Sequence, residues 1–496
     1  MCAPHHSNIH FRERESNNVL HTVEKIGGTS MSQYQAVRDN IVLYNRNNDN
    51  YYQRMLVVSA FGGITDGLLE CKRTGAPGVY ATFADAEDDQ AWEQALDNVC
   101  QRMAQINEEM FGATPERALA DAFLQERIAG IRDCLHQLRR VCAFGQFQLA
   151  EQLQTIRELL AAMGEAHSAH NMVLYLRQSG VNAILMDLTG WRTDDALPLD
   201  DVLTQALARV DLSSQLPVVT GYAHCKEGLM SSFDRGYSEM TFSRLAVLSG
   251  AREAIIHKEY HLSSADPRLA GEDEVIPIGR TNYDVTDQLS NLGMEAIHPQ
   301  AAKGLRQQDI PLRVRNTFEP DHEGTLITTD YRSPAPCVEM VAGRRNLFAL
   351  ELFDQDMVGR VSHYAEGFTD ELDKMHLNLV AKDMNANTLT YYVAGNRKQV
   401  RRLVGSLQRR FGNAEVNTHK VSLVSAVGSD MSIPGLLARS VGALNRAEVP
   451  VRAVHQSLRA VEMQFIVDDE FYEQAVVALH DELVQTHADT VALAVA

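Results

Sequence analysis

The sequence predicts an α/β protein with a doubly wound, largely parallel sheet between helices, followed by two smaller ferredoxin-like units. Two strand–glycine–helix units lie in succession between residues 23 and 66, an order typical of doubly wound sheets. In the last third of the chain, the order strand, helix, strand, strand, helix occurs twice. Residues 84–180, which lie between these two regions, show apolar periodicities typical of long helices.

The first unit is the stretch V-E-K-I-G-G-T-S at residues 23–30. Gly27 and Gly28 permit close approach of the backbone to an anion, and Thr29 or Ser30 can cap the next helix. With Lys25 adding a positive charge, the stretch predicts a cradle for a nucleotide triphosphate. It matches neither the Walker pattern nor the dinucleotide fingerprint, and taken alone an ordinary strand–turn–helix corner remains open.

The following elements extend this pattern. An apolar stripe predicts a helix over 30–44, and the buried parallel strand expected at 55–61 ends in G-G-I-T-D, which opens a second helix. In the helical region, a stripe from Trp92 to Met110 fits either a coiled-coil seam or a core-facing surface. Gly164 lies within a second stripe, where it indicates a helix boundary or a close functional approach.

Strand patterns return at 183–188 and 216–222, and the segment F-D-R-G-Y-S-E at 233–239 precedes an apolar helix. A strand at 254–256, a polar turn at 263–268 and a last strand at 312–317 complete this part. A linker is predicted at 331–336 because it holds two prolines and few apolar residues. The two ferredoxin-like copies begin with strands at 347–353 and 421–426, and a strand-like run at 491–495 has no partner in the second copy.

Composition limits the possible partners. The formal net charge of -19 argues against nucleic-acid binding, and no apolar run approaches the length that spans a membrane. The seven cysteines are scattered and form no C-x-x-C pair, which predicts a reducing, cytoplasmic location. Residues 1–19 are expected to form a flexible tail rather than a secretory signal. His167 with His170, and His257 with His261, raise the question of a metal, but no ligand set completes a zinc-like site.

Seven motifs together resemble the aspartate kinases, in that family's order along nearly the whole chain. They are K-I-G-G-T-S at 25–30, V-S-A-F-G-G-I-T-D at 58–66, G-E at 164–165, D-R-G-Y-S-E at 234–239, A-D-P-R at 265–268, I-H-P at 297–299 and R-N-T at 315–317. The residues in these motifs are most similar to those of the aspartate kinases associated with ectoine synthesis. The resemblance implies an amino-acid-kinase fold at 20–330 with its helical insertion at about 84–180, a linker at 331–340, and ACT domains at 341–417 and 418–487. It also suggests 488–496 as a segment that completes the first ACT domain.

The resemblance also implies roles for individual residues. Arg235 would hold the α-carboxylate of L-aspartate and Glu165 its α-ammonium group, with Mg²⁺ carried on the ATP phosphates rather than by a protein metal site. Lys25 and Glu239 would be catalytic, and the remaining acceptor contacts would come from Ser59, Thr65 and Ser238. The implied nucleotide contacts are Lys25, Gly27, Gly28, Ser30, His257, Lys258, Ser263 and Arg268.

Several positions depart from the family pattern. Glu239 stands for a common Asp, Tyr237 for a glycine, His257-Lys258 for a T-D pair, Ser263 for a tyrosine and Glu295 for a lysine. These departures keep open a catalytically weakened amino-acid sensor or regulatory subunit, and a kinase for another amino acid is a further alternative. The paired ACT tail favours aspartate. It also implies an amino-acid effector and a homodimer or higher homo-oligomer.

Overall fold

The computed structural model describes residues 20–46, 51–72, 74–85, 88–193, 196–233, 236–294, 296–375 and 377–485. The chain divides into two compact units, residues 1–254 and 255–496. The predicted tail at 1–19 and the strand-like run at 491–495, with its suggested role for 488–496, lie outside the described residues.

A parallel sheet forms the centre of the first unit. Its strands are β1 (Thr22–Ile26), β2 (Arg54–Val58), β3 (Ala183–Met186) and β4 (Leu216–Thr220), in the order β3-β4-β2-β1. All five residues of β2 are buried, as expected for a parallel strand covered on both faces. Strand β2 lies between β1 and β4, with Lys25 opposite Val57 and Val57 opposite Val219. Both loops that follow β1 and β2 therefore begin at the same edge of the sheet.

Helices connect and cover these strands. They are α1 (Gly28–Ser32), α2 (Tyr34–Ala36), α3 (Ile64–Leu68), α4 (Val79–Asp85), α5 (Gln90–Phe111), α6 (Pro115–Cys142), α7 (Leu149–Gln178), α8 (Leu199–Leu207), α9 (Leu229–Phe233) and α10 (Tyr237–Ser249). The prediction of one helix over 30–44 is wrong. Gln33 takes φ -98 and ψ 51, which ends α1, and the segment continues as α2 and a π-helix at Val37–Val42.

The long helices follow the predicted periodicities. The stripe from Trp92 to Met110 is buried in the core of the unit, which decides between a core-facing surface and a coiled-coil seam. Helix α7 runs without a break through Gly164, so no helix boundary lies there.

Strand β5 (Glu253–Lys258) carries the chain into the second unit. There it is followed by β6 (Arg280–Asn282), β7 (Leu312–Asn316) and β8 (Thr325–Thr328), in the sheet order β5-β7-β8-β6, and by helices α11 (Pro267–Ala270), α12 (Tyr283–Asn291) and α13 (Pro299–Gln307). The prediction that 312–317 is the last strand of this part is wrong, because β7 pairs antiparallel with β8. Strand β8 is only four residues long, too short for its alternation to be recognised in the sequence.

The C-terminal part forms a second, six-stranded antiparallel sheet, in the order β10-β11-β9-β12-β14-β13. Its elements are β9 (Met340–Phe353), α14 (Val361–Lys374), β10 (Asn378–Met384), β11 (Thr388–Ala394), α15 (Arg397–Arg410), β12 (Glu415–Val427), α16 (Leu436–Arg446), β13 (Val451–Gln456), β14 (Glu462–Asp468) and α17 (Tyr472–His480). The predicted pair of ferredoxin-like copies is confirmed.

The two longest strands each serve both copies. The second half of β9 pairs with β11 and with residues 415–421 of β12, whereas its first half pairs with residues 423–427 of β12. The second half of β12 then pairs with β14. Each copy is thus completed by a strand segment that continues into the other copy.

Apolar cores lie on both faces of this sheet. Helices α14 and α15 cover one half and α16 and α17 the other, each over a cluster of buried side chains. The opposite face packs on residues of the preceding sheet region, including Leu262, Ile278 and Val285, through a single cluster that also contains Met340 and Ile466.

Candidate active site

An ion pair joins the ends of two elements of the first unit. Lys25 lies in β1, Glu239 lies in the first turn of α10, and Lys25 Nζ is 3.4 Å from Glu239 Oε1. Their side chains are only 12% and 15% exposed. The two residues are 214 positions apart in the sequence, so this contact is a product of the tertiary structure. The two residues predicted to be catalytic are therefore neighbours.

The two glycine loops are held against each other. A Cβ on Gly28 would lie 2.6 Å from the backbone oxygen of Ala60, so only glycine fits at that approach. Ser32 Oγ accepts a hydrogen bond from the Gly62 N–H at 2.7 Å and donates to the Gly28 carbonyl at 3.2 Å. Gly27 precedes α1 as its N-cap, and Ser30 is fully buried within α1.

Helix α7 delivers a buried carboxyl group to the same region. A Cβ on Gly164 would lie 3.0 Å from Ala60 Cβ, which explains why a glycine stands where the helix crosses the second glycine loop. The next residue, Glu165, is 1% exposed and accepts a hydrogen bond from Ser238 Oγ at 2.7 Å. Ser59 Oγ lies 3.4 Å from Ser238 Oγ. The indication of a close approach at Gly164 is thus supported.

The environment of Glu165 favours its neutral form. Burial raises the pKa of Glu165 to about 8, although the Ser238 hydroxyl, the Tyr222 backbone and the charge of Lys25 lower it. In the free protein at neutral pH this carboxyl group is largely protonated. A cationic group that enters the site would favour its ionised form.

Five predicted residues therefore come together in the first unit, namely Lys25, Ser59, Glu165, Ser238 and Glu239. Thr65 lies half-buried in α3, just after Gly63, which has φ 81. Arg235 lies outside the described residues.

The predicted nucleotide contacts after residue 254 belong to the second unit, where a cavity of about 1080 Å³ is found. Lys258, Ser263 and Arg268 line it, whereas His257 is buried in β5 and does not. The Arg268 guanidinium is 2.7 Å from an Asp266 carboxylate oxygen, and the Arg268 side chain is 88% exposed. Glu295 lies outside the described residues.

Sequence reasoning missed other residues of this cavity, among them Tyr260, His261 and Glu319. The His261 and His322 rings are 4.1 Å apart between centroids, and His261 Nε2 is 3.0 Å from a Glu319 carboxylate oxygen. Their signal was weak because His261 and Glu319 are far apart in sequence and belong to irregular segments.

Sequence reasoning also missed Glu158, which lies seven residues before Glu165 on the same helix. Its Oε1 accepts hydrogen bonds from the backbone N–H groups of Met230, at 2.9 Å, and Ser231, at 3.2 Å. Glu158 thereby fixes the start of α9, the helix that leads toward Ser238 and Glu239. No signal in the sequence marks it, because Glu158 follows Arg157 and lies off the apolar stripe, like an ordinary polar residue on a helix.

Two of the histidines considered as metal ligands, His167 and His170, have other partners. His167 Nε2 is 2.7 Å from Asn107 Oδ1, and the His170 ring stacks on Phe123 at 4.1 Å. Burial lowers the pKa of His167 to about 3 and that of His170 to about 4. Over the described ranges, no group of three or more His, Cys, Asp or Glu residues could hold a metal ion. Within those same ranges, no helix is both long and apolar enough to cross a membrane.

Comparison with known proteins adds independent information. Residues 21–316 match the amino acid kinase family, and residues 424–483 match an ACT domain. The chain is 52% identical over 477 residues to aspartate kinase Ask_Ect of Stutzerimonas stutzeri (strain A1501), covering 96% of this chain and 100% of that protein. It is 24% identical over 489 residues to the chloroplastic aspartokinase 2 of Arabidopsis thaliana, covering 94% of this chain and 85% of that protein.

A solved structure shares the fold. E. coli aspartokinase III, in complex with aspartate and ADP, superposes with a TM-score of 0.69 at 20% identity and covers 93% of this chain and 99% of that one. The family resemblance found in the motifs is confirmed by the similarity over nearly the full length. The chain therefore belongs to the amino acid kinase family and, within it, to the aspartate kinases.

Proposed function

We propose that the cluster around Lys25 and Glu165 transfers the terminal phosphoryl group of ATP to the β-carboxylate of L-aspartate, giving 4-phospho-L-aspartate and ADP. The observation that supports this proposal is the pairing of Lys25 with Glu239 beside a buried acid, Glu165, in one region of the first unit. A β-carboxylate oxygen attacks the γ-phosphorus while the bond from that phosphorus to the oxygen bridging it to the β-phosphorus breaks. Two anions must meet in this reaction, so positioning and charge neutralisation dominate catalysis.

On the acceptor side, Glu165 pairs with the α-ammonium group of aspartate. The buried position of Glu165 makes this contact selective, because an ionised carboxylate there needs a cationic partner. Ser59 and Ser238, whose hydroxyl groups lie 3.4 Å apart, supply hydrogen bonds to the acceptor. Arg235 binds the α-carboxylate in this proposal, and Thr65 contributes a further hydroxyl group.

On the phosphate side, Lys25 neutralises charge on the transferring group. In the structure its ammonium group is paired with Glu239. In this proposal Glu239 orients the ammonium group, and the arriving phosphates replace Glu239 as its partner. The loop at Gly27 and Gly28 provides backbone groups to the phosphates, and Ser30 supports that loop from within α1. ATP enters as its Mg²⁺ complex, so the metal is part of the substrate and is held by phosphate oxygens.

We propose that the nucleoside part of ATP binds in the cavity of the second unit. Its volume of about 1080 Å³ is slightly above the range of roughly 300–1,000 Å³ that is typical of ligand pockets. Lys258, Ser263 and Arg268 contribute polar contacts from its lining, and the buried His257 supports β5 beneath it. Ser263 leaves more room than the tyrosine common in the family.

The reaction is tested by an ADP-release assay with aspartate and MgATP. Lys25→Met should lower kcat about 100- to 1000-fold, the loss expected for one preorganised charge contact. Lys226→Met, an exposed lysine of the same unit, is the matched control and should leave kcat unchanged. Full activity of Lys25→Met would remove Lys25 from the mechanism.

The same assay separates the alternative activities. Turnover with glutamate, N-acetylglutamate or carbamate in place of aspartate would indicate another amino-acid kinase. A protein that binds an amino acid in calorimetry but no ADP would instead be a sensor. Either result would contradict the proposal.

We also propose that the product feeds ectoine synthesis, that an amino acid regulates the chain through its ACT domains, and that it forms a homodimer or higher homo-oligomer. Loss of ectoine accumulation after deletion of the gene tests the first point. Inhibition by individual amino acids and the mass in solution test the other two.

A further inference from the structure

Ser264 lies where three segments of the second unit meet, directly after the cavity residue Ser263. Its N–H donates to the Ile276 carbonyl at 2.9 Å, and its own carbonyl accepts from the Val341 N–H at 2.7 Å. Its hydroxyl oxygen accepts from the Ile276 N–H, also at 2.9 Å. The backbone N–H, the carbonyl and the hydroxyl oxygen of Ser264 are thus engaged, and the residue is 1% exposed.

The fourth contact of Ser264 comes from the C-terminal part of the chain. His480, the last residue of α17, is fully buried, and its Nε2 is 2.9 Å from Ser264 Oγ. The Ser264 hydroxyl oxygen already accepts a hydrogen bond from the Ile276 N–H. The hydroxyl hydrogen forms a hydrogen bond only if it is donated to His480 Nε2. Burial lowers the pKa of His480, against the opposing influence of Asp481 and Glu274, so the ring is neutral and Nε2 is free to accept.

Helix α17 is also a wall of the cavity. Tyr472 and Val476 line it from this helix, while Ser263, Pro277 and Val341 line it from the segments that Ser264 joins. Leu269 of α11 packs on the same apolar cluster as α17. The width of the cavity therefore depends on how α17 is fixed to the segment 262–278.

We propose that His480 is a positioning residue for the nucleotide, which fixes Ser264 and so sets the shape of the cavity between α17 and the Ser263 loop. The inference rests on the proposed nucleotide role of this cavity. His480 touches no substrate in this arrangement. It acts through Ser264, so its loss affects the affinity for nucleotide and leaves aspartate binding and the chemical step unchanged.

The test compares Ser264→Ala, His480→Leu and the double variant in the full-length chain, with the dissociation constant of ADP measured by calorimetry. Each single variant should weaken ADP binding about fivefold, the effect of one buried hydrogen bond. The KM for aspartate should change less than twofold. Because the two residues act as one unit, the double variant should bind ADP no more weakly than either single variant. His480→Gln retains a hydrogen-bonding side chain and should restore most of the affinity.

Two control variants separate positioning from general destabilisation. Ser440→Ala removes another buried hydroxyl of the second unit, which donates only to the Leu436 carbonyl in its own helix. Leu479→Ala weakens the packing of α17, and Leu479 itself is not a lining residue of the cavity. Both should lower the melting temperature and leave ADP affinity unchanged.

The possible outcomes are distinct. Equal weakening by Leu479→Ala and His480→Leu, or multiplied effects in the double variant, would overturn the inference. If Lys258→Ala weakens ADP binding while Ser264→Ala and His480→Gln do not, the inference fails and the nucleotide cavity stands. If none of these variants affects ADP, the proposed nucleotide cavity fails with it. Should His480→Leu not fold, Ser264→Ala and His480→Gln decide the matter.

Discussion

At the scale of single residues, the proton on Glu165 links the structure to the binding of aspartate. Its pKa is raised to about 8 by burial, so most molecules carry this proton at pH 7. A protonated carboxyl group cannot form an ion pair with an ammonium group. In the proposed mechanism, aspartate binding therefore releases the proton.

This release predicts a pH dependence. The KM for aspartate should fall as pH rises from 6 to 8, by up to about tenfold per pH unit, and level off above the pKa. Steady-state kinetics across this range measure it, with the KM for ATP as the internal control. Glu165→Gln should weaken aspartate binding and abolish the slope. An unchanged slope in that variant would show that another group titrates.

The same shift predicts an effect on stability with a defined sign. Below about pH 4.5, Glu165 is protonated in both the folded and the unfolded chain. Between about 4.5 and 8 the unfolded chain releases the proton and the folded chain retains it, so stability falls as pH rises through this window. Glu165→Gln should therefore raise the melting temperature relative to wild type more at pH 8 than at pH 5. A constant difference across that range would contradict the shift.

Most of the cluster in the first unit could be predicted from the sequence. The glycines at 27 and 28 mark the loop beside Lys25, and the motifs that carry Ser59 and Glu239 resemble those of the aspartate kinases. Glu158 and His480 could not be predicted. Their partners are backbone N–H groups and a serine distant in sequence, and in the sequence each looks like an ordinary polar residue on a helix.

At the scale of elements, the crossing of α7 over the second glycine loop depends on Gly164. A side chain there would be 3.0 Å from Ala60 Cβ and 3.3 Å from both Ile64 and Leu68. These neighbours are buried and belong to the loop and helix that carry Thr65. A larger residue would push α7, and Glu165 with it, away from the loop.

Gly164→Ala should consequently lower the melting temperature and raise the KM for aspartate. Crowding costs about 1–3 kcal/mol, which exceeds the gain of about 1 kcal/mol from replacing a helical glycine. Gly405→Ala is the matched control, because its Cβ would meet nothing nearer than Arg409 at 3.6 Å in α15. It should raise the melting temperature. Equal behaviour of the two variants in thermal unfolding would contradict the argument.

The centres of the strands could be predicted, but the full lengths of β9 and β12 could not. Residues 344–346 and 417–420 are polar and mostly exposed, and they show no apolar alternation. They are strands because β9 and β12 pair with each other over nearly their whole lengths. Pairing between distant segments overrides local propensity here, as is common in sheets.

At the scale of the whole molecule, the residues on the two sides of the predicted boundary at 330 share one apolar core. Leu262, Ile278, Val285, Leu289 and Leu292 are at most 9% exposed, and they belong to one cluster with residues of β9, β12 and β14. Removing the C-terminal sheet would expose them to water. At roughly 1.5–3 kcal/mol for each side chain, the loss is comparable with the 5–15 kcal/mol that stabilises a typical domain.

A chain that ends at residue 330 should therefore be insoluble or unfolded, although the family motifs lie before that point. Expression of residues 1–330 with and without a separate 331–496 fragment tests this, with solubility and circular dichroism as measurements. Co-expression should recover soluble protein. A soluble, folded 1–330 chain would show that the shared core is dispensable.

The two long strands that serve both ferredoxin-like copies limit how this part of the sequence can change. In an ordinary tandem repeat, each copy can gain or lose a residue without effect on its neighbour. Here an insertion in β9 or β12 would reverse the facing of side chains in both copies, unless it fell at the irregularity between Val421 and Leu423. Insertions and deletions in this sheet are therefore restricted to its turns and to that irregularity, and a change in either long strand affects both copies.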